Sequence, residues 1–211
     1  MSGSRRRQSR PGRGPEPQQR ERLRLECARI MAEESVLDYQ AAKRKASARL
    51  NLSAAAVLPS NLEIEDALVD YLSLFHGEEM RARHKQRYTL ALEAMRTLTE
   101  FDPRLAGTLL RGGVTEHSPV ELHVFADTVE EVCGFLDELA IPNELLEKRL
   151  RFGGDRIQRQ PVCRFTVDGV VVELVVFAPR SRKEPPLSPV DGRPMRRAGI
   201  NEVESLAAQA G

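Results

Sequence analysis

Two acidic residues stand in strongly apolar surroundings. Glu121 lies in VELHVF at 120–125, and Glu173 lies in VVVELVVF at 170–177. An ionised carboxylate among valines and leucines is costly unless a cation or a donor meets it. Two such strands in one small domain therefore gather carboxylates around something positive. A metal ion is one candidate; an arginine is the other, with Arg111 and Arg164 available. Alternate residues on a strand share a face, so Pro119, Glu121 and His123 point one way and Val120, Leu122 and Val124 point into the core. Pro119 has no backbone donor and suits the beginning or edge of a strand. His123 could join Glu121 and Glu173 in a set of one histidine and two carboxylates, suited to Mn²⁺, Fe²⁺ or Zn²⁺ rather than Mg²⁺. The alternative is an exposed or hydrogen-bonded strand histidine. Ahead of the first acid, Gly107, Thr108, Arg111, Gly112 and Gly113 can offer backbone amides and a guanidinium to phosphate groups. The same glycines would equally permit a tight turn with no ligand. Glu116 and His117 share this loop. A second basic stretch, Asp191-Gly192-Arg193 with Arg196 and Arg197, reads either as a phosphate clamp or as an exposed turn.

Taken together, Gly107-Thr108, the Arg111-Gly112 step, Ser118-Pro119-Val120-Glu121-Leu122 and Glu173 carry a family pattern. They resemble the signature of the DNA polymerase β-type nucleotidyltransferases: Gly-Ser, then Asp-x-Asp on a strand, then a third acid on a neighbouring strand. The resemblance covers roughly residues 100 to 180, and the stretch from Ala178 to Arg197 resembles bacterial proteins labelled nucleotidyltransferase. It implies an NTP held by Gly107, Thr108, Arg111, Gly112 and Gly113. It implies Mg²⁺ or Mn²⁺ held by Glu121 and Glu173, and Glu173 helping to activate the attacking hydroxyl of an acceptor. The chain departs from the pattern at two points. Pro119 stands where the first Asp belongs, and Glu121 is longer than the second. A two-metal mechanism needs carboxylates bridging ions about 4 Å apart, and Mg²⁺ demands near-octahedral oxygen geometry. The expectation is thus a nucleotidyltransferase-like protein whose catalysis is reduced. Its rivals are an inactive nucleotide- or RNA-binding regulatory module and a helical protein-interaction protein.

Composition narrows the class. The 211 residues are 30% charged and 5% aromatic, with no Trp, enough for one modest core plus extensions. No apolar run approaches the roughly 18 residues that span a membrane, so no membrane contact is expected, and the cysteines point to a cytoplasmic protein. Cys27, Cys133 and Cys163 are odd in number, far apart and without a Cys-x-x-Cys, which predicts reduced thiols. Residues 1–20 hold six arginines against Glu16 and leave the rest net acidic. Such a tail has too little apolar surface to fold alone; it reads as a solvated basic tail or one contacting RNA phosphates.

The elements that must position these residues give an α+β class: a small mixed sheet with flanking helices, preceded by a helical region. The division is a disordered basic tail at 1–20, helices at 21–99, the α+β core at 100–178, and a Pro/Arg-rich loop with a short helix at 179–211. One helix is predicted from Glu21 to about Leu50 by the stripe Cys27, Ile30, Leu37, Ala41 and Ala48. A second carries Ile64, Leu68, Tyr71, Leu72 and Phe75. A third, after Gly77, carries Met80, His84, Tyr88, Ala91, Leu92, Met95 and Leu98, and ends at Pro103. These stripes suit an internal core or a homodimer contact. Thr128 to Glu131 is a capping box opening a helix to about Ala140. Strands follow near 145–152, 162–167 and 170–177, the last two joined by the hairpin signal Asp168-Gly169. Asn201 to Glu204 reads as the cap of a final helix.

Overall fold

The structure, a computed structural model, describes residues 17–52 and 58–210. Most of the arginine-rich tail, and with it the expectation of an RNA contact there, falls outside the described residues. Where periodicity predicts one helix from Glu21 to Leu50 there are two, α1 (Pro17–Glu33) and α2 (Tyr39–Arg49). The chain turns at Ser35, whose φ is +57°. Asp38 restarts the helix by accepting a hydrogen bond from the Ala41 amide at 2.7 Å. Leu37 sits in this linker and is exposed. In α3 (Asn61–Phe75), Ser60 and Glu63 form a reciprocal capping box: the Glu63 amide donates to Ser60 and the Ser60 amide to Glu63. Leu23, Cys27 and Ile30 of α1, Ala42 and Ala46 of α2, and Ile64, Leu68 and Leu72 of α3 form one apolar cluster. The helix α4 (Gly77–Thr97) instead sends Tyr88, Ala91, Leu92 and Met95 into the core of the sheet.

That sheet has five strands among the described residues: β1 (Arg104–Ala106), β2 (Val120–Phe125), β3 (Glu144–Arg151), β4 (Ile157–Val167) and β5 (Val170–Phe177). The spatial order is β1-β2-β5-β4-β3. The β2–β5 pair is parallel and the other pairs are antiparallel. Two further helices, α5 (Val129–Glu138) and α6 (Ile200–Gln209), complete an α+β fold with a helical N-terminal region. One face of the central strands, with Leu122, Val124, Val172, Leu174 and Val176, packs in a single core with residues of α4, α5 and α6. The opposite face holds a smaller cluster of Phe125, Leu150, Phe152, Val162, Val175 and Phe177.

Several details depart from the sequence expectation. β4 begins at Ile157, not Val162: its polar start, Gln158 to Gln160 with Pro161, is held by a full ladder to β3. The α6 cap position is Gly199 rather than Asn201, and no side chain caps it. The cysteine expectation is overturned for two of three thiols. Cys133 on α5 and Cys163 on β4 are joined in a disulfide, their Cα atoms 6.3 Å apart, because α5 packs on β4. Cys27 alone stays free, buried in the helical cluster, where burial pushes its thiol up to about 11. Among the described residues no helix is long and apolar enough to cross a membrane.

Leu174 is completely buried in the sheet core, whereas Leu74 is 76% exposed. Leu174→Ala is expected to cost about 2–5 kcal/mol in denaturant unfolding. Leu74→Ala is expected to stay within about 0.5 kcal/mol.

Candidate functional site

Parallel pairing of β2 and β5 sets Glu121 directly opposite Glu173. The two carboxylates therefore stand side by side on the sheet face away from α4 and α6, each only 8% exposed. Like charges so placed repel unless a cation intervenes. The cation is Lys148. Strand alternation puts Leu146, Lys148 and Leu150 on this face of β3, and the lysine reaches inward from that edge strand. Its Nζ lies 2.5 Å from Glu121 Oε2 and 3.1 Å from Glu173 Oε2. Arg164, opposite Glu173 in the β4–β5 ladder, donates from Nη2 to Glu173 Oε1 at 2.8 Å. Both oxygens of Glu173 are thus engaged by cations.

His123 extends the cluster on the other side of Glu121. It is fully buried, and its Nδ1 receives a hydrogen bond from Arg197 Nε at 2.8 Å. A guanidinium can only donate, so Nδ1 is an acceptor and the ring proton sits on Nε2. From there it donates to Glu121 Oε1 at 3.0 Å. Burial depresses the His123 pKa against the raising effect of Glu121, which keeps the ring neutral. Arg197 lies 4.6 Å from the Phe177 ring centroid and 5.2 Å from that of Phe125. Burial lowers its pKa to about 10. For Glu121, burial alone would raise the pKa; the Lys148 charge and the His123 hydrogen bond outweigh it and hold the carboxyl at about 2. Burial likewise works against the Lys148 ammonium, but the two carboxylates win and raise its pKa.

The glycine-rich turn packs directly on this cluster. Gly107 has φ +78°, a backbone angle that favours glycine, and a Cβ there would lie a tight 3.3 Å from Glu121 Cβ. A short 3₁₀ turn follows at Thr108–Leu110. Arg87, buried on α4, fixes the end of the loop by donating to the Ser118 carbonyl at 3.1 Å and the Glu116 carbonyl at 2.6 Å.

Between this face and helices α1–α3 lies a cavity of about 1280 Å³. Glu121, Lys148, Arg164 and Glu173 line its sheet wall, and Met31, Tyr39, Glu65 and Leu68 line its helical wall. Gly107, Thr108, Arg111 and Gly113 border it, as does Arg196. Arg111 does not reach the acids; it bonds Ser188 Oγ at 2.9 Å and pairs with Asp191 Oδ2 at 3.2 Å. The loop carrying Ser188 and Asp191 is thereby fastened over the glycine turn. Arg197 is no exposed clamp but the half-buried partner of His123, while Arg193 holds Asp191 through its own backbone amide at 3.1 Å.

The structure thus brings together Glu121, His123 and Glu173, and sets Gly107, Thr108, Arg111 and Gly113 along the same cavity. Gly112, with φ +95°, shapes the turn and is not among the cavity-lining residues. Of the two arginines considered as partners for the acids, Arg164 has that role and Arg111 does not. Lys148 escaped the sequence reading, since only strand order brings it across the 27 residues from Glu121. Among the described residues no group of three or more His, Cys, Asp or Glu is arranged to hold a metal ion. A divalent ion between Glu121 and Glu173 would have to displace the Lys148 ammonium, so these residues as arranged do not fit the metal pair that the resemblance implies. No protein-family model, curated protein or solved structure matches this chain.

Removing the lysine tests the cluster. Lys148→Met leaves two buried carboxylates facing one another and is expected to cost about 2–3 kcal/mol, below the range for fully enclosed pairs because Lys148 is partly exposed. A depressed carboxyl pKa supplies stability that is complete above the unfolded value near 4.5 and is lost as pH falls toward about 2. The gap between wild type and variant in urea unfolding should therefore be widest above about pH 4.5 and close as pH approaches 2. A gap that does not vary with pH would show that charge compensation is not what the lysine provides.

Proposed function

We propose that this protein is a nucleotide-binding module on a nucleotidyltransferase-like scaffold, in which the Lys148 ammonium stands in place of divalent metal. The observation that carries this reading is Lys148 bridging Glu121 and Glu173 on the wall of a large cavity that the glycine turn borders. The cavity suits a ligand of mixed character. Its rim offers backbone amides of a glycine turn and arginines such as Arg111 and Arg196, which favour phosphate oxygens. Its helical wall adds Met31 and Leu68, and the loop of Ser188 and Asp191 adds Val190, apolar surface suited to a ring system.

The same arrangement argues against nucleotidyl transfer. Metal-assisted transfer needs carboxylates free to bind ions on both attacking and leaving oxygens. Here Lys148 engages both acids, and Pro119 offers no carboxylate. A general base must also be within reach of the proton it takes and free to accept it; the two oxygens of Glu173 already accept from Lys148 and Arg164. Binding without turnover is what remains. An acceptor hydroxyl is then unnecessary, and Mg²⁺ or Mn²⁺ would enter, if at all, only with the nucleotide's own phosphates.

Thermal-shift titration with the four NTPs, with and without Mg²⁺ or Mn²⁺, tests this reading. A ligand at about 100 times its Kd stabilises the folded state by about 2.7 kcal/mol. The expected result is stabilisation that does not require added metal, is weakened by Arg111→Ala, and is unaccompanied by pyrophosphate release. Metal-dependent stabilisation with pyrophosphate release would reinstate the transferase reading. No stabilisation by any nucleotide would remove the nucleotide reading altogether.

A further inference from the structure

A single loop, residues 187–195, ties the walls of the cavity together. The Leu187 amide donates to the Arg151 carbonyl of β3 at 2.6 Å. Asn61 of α3 donates from Nδ2 to the Pro189 carbonyl at 2.6 Å. Val190 packs into the apolar cluster of α1–α3. The remaining attachment is ionic and runs to the glycine turn: Arg111 Nη2 donates to Ser188 Oγ at 2.9 Å and lies 3.2 Å from Asp191 Oδ2.

The two sides of this ion pair differ in freedom. Asp191 is fixed from its own loop, where the Arg193 amide donates to Oδ1 at 3.1 Å and the Gly192 amide closes the turn onto the Ser188 carbonyl at 2.9 Å. Burial works against its charge, but the Arg193 amide and the Arg111 guanidinium hold the carboxyl below its usual range. Arg111 stands on a flexible stem and lines the cavity together with Gly107 and Thr108. Solvent reaches both partners, whose side chains are 29% and 20% exposed. A guanidinium binds carboxylate or phosphate best through two parallel bonds. Here one nitrogen, Nη2, makes the contacts to both Ser188 and Asp191, so the fork is only half used. An anion on its other nitrogens would sit beside the Asp191 carboxylate, and like charges so close repel.

Resting on the nucleotide-binding reading above, we infer that Asp191 is a built-in competitor of the ligand: its carboxylate holds Arg111, and phosphate arriving at the glycine turn takes Arg111 over and unfastens residues 187–195. The loop then keeps its bonds to β3 and α3 and loses the ionic one. Affinity is set below what the turn and Arg111 could give, because binding must first draw the arginine out of its pair.

Calorimetric titration of the full chain with ATP and with inorganic tripolyphosphate tests the inference. Asp191→Asn removes the charge and keeps the Oδ1 acceptor for the Arg193 amide. It is expected to bind both ligands about fivefold more tightly than the wild type, the upper scale of a partly exposed ion pair. Hydrogen exchange of the wild type needs no variant, and decides the matter should Asp191→Asn not fold. The Ser188, Gly192 and Arg193 amides should exchange faster with saturating tripolyphosphate than without it. Weaker binding by Asp191→Asn would mean that the aspartate positions Arg111 instead of competing for it. That result, equal binding, a gain for ATP alone, or loop exchange that tripolyphosphate slows or leaves unchanged would overturn the inference and leave the nucleotide reading intact. Binding of neither ligand by either protein would overturn the reading and the inference together.

Discussion

Two acids meet in register on adjacent parallel strands, and everything on that face of the sheet answers to the repulsion between them. The β2–β5 pairing fixes Glu121 opposite Glu173. Neither can move away without breaking the ladder that also seats Leu122 and Leu174 in the main core. Lys148 resolves the conflict from β3, and Arg164 from β4 supports it, so the edge hairpin is tied to the centre by charge as well as by backbone hydrogen bonds. His123 and Arg197 continue the chain of donors and acceptors toward the C-terminal loop. The position of that loop over the glycine turn follows from these contacts together with those of Arg111 to Ser188 and Asp191.

A cluster of this kind is a poor way to gain stability. Desolvation offsets much of the attraction within a buried ion pair, and apolar residues of similar volume often stabilise a site at least as well. The apolar half of the same face, with Phe125, Val175 and Phe177, shows that the sheet accepts such packing. Charged residues occur instead where the face meets the cavity. A preorganised set of charges is useful there because it presents a fixed field to a ligand without reorganising when the ligand arrives.

Much of the fold was legible because local signals and tertiary packing agree. The Thr128 cap, the Asp168-Gly169 turn and the apolar strands β2 and β5 are short-range features, and the structure contains each of them. What sequence could not give was anything set by strand order. Lys148 looks like one more charge in the surface-like ELLEKRLR until β3 is placed beside β4. Cys133 and Cys163 look unrelated until α5 lies on β4. Tyr39 and Glu65, 26 residues apart on two helices, carry no motif that announces their contact. The predicted single helix to Leu50 failed for a local reason: one left-handed residue at Ser35 and an Asp38 cap outweighed the periodicity.

The claim that an ammonium stands where a metal would bind is most directly examined by titrating Mn²⁺ into the protein and following its electron paramagnetic resonance signal. For the wild type, the expected result is no uptake attributable to the acid pair, with uptake emerging only in Lys148→Ala, where the two carboxylates face an open space. Uptake of Mn²⁺ by the wild type that Glu121→Gln abolishes would contradict the account, because the acid pair would then hold a metal despite the lysine between them.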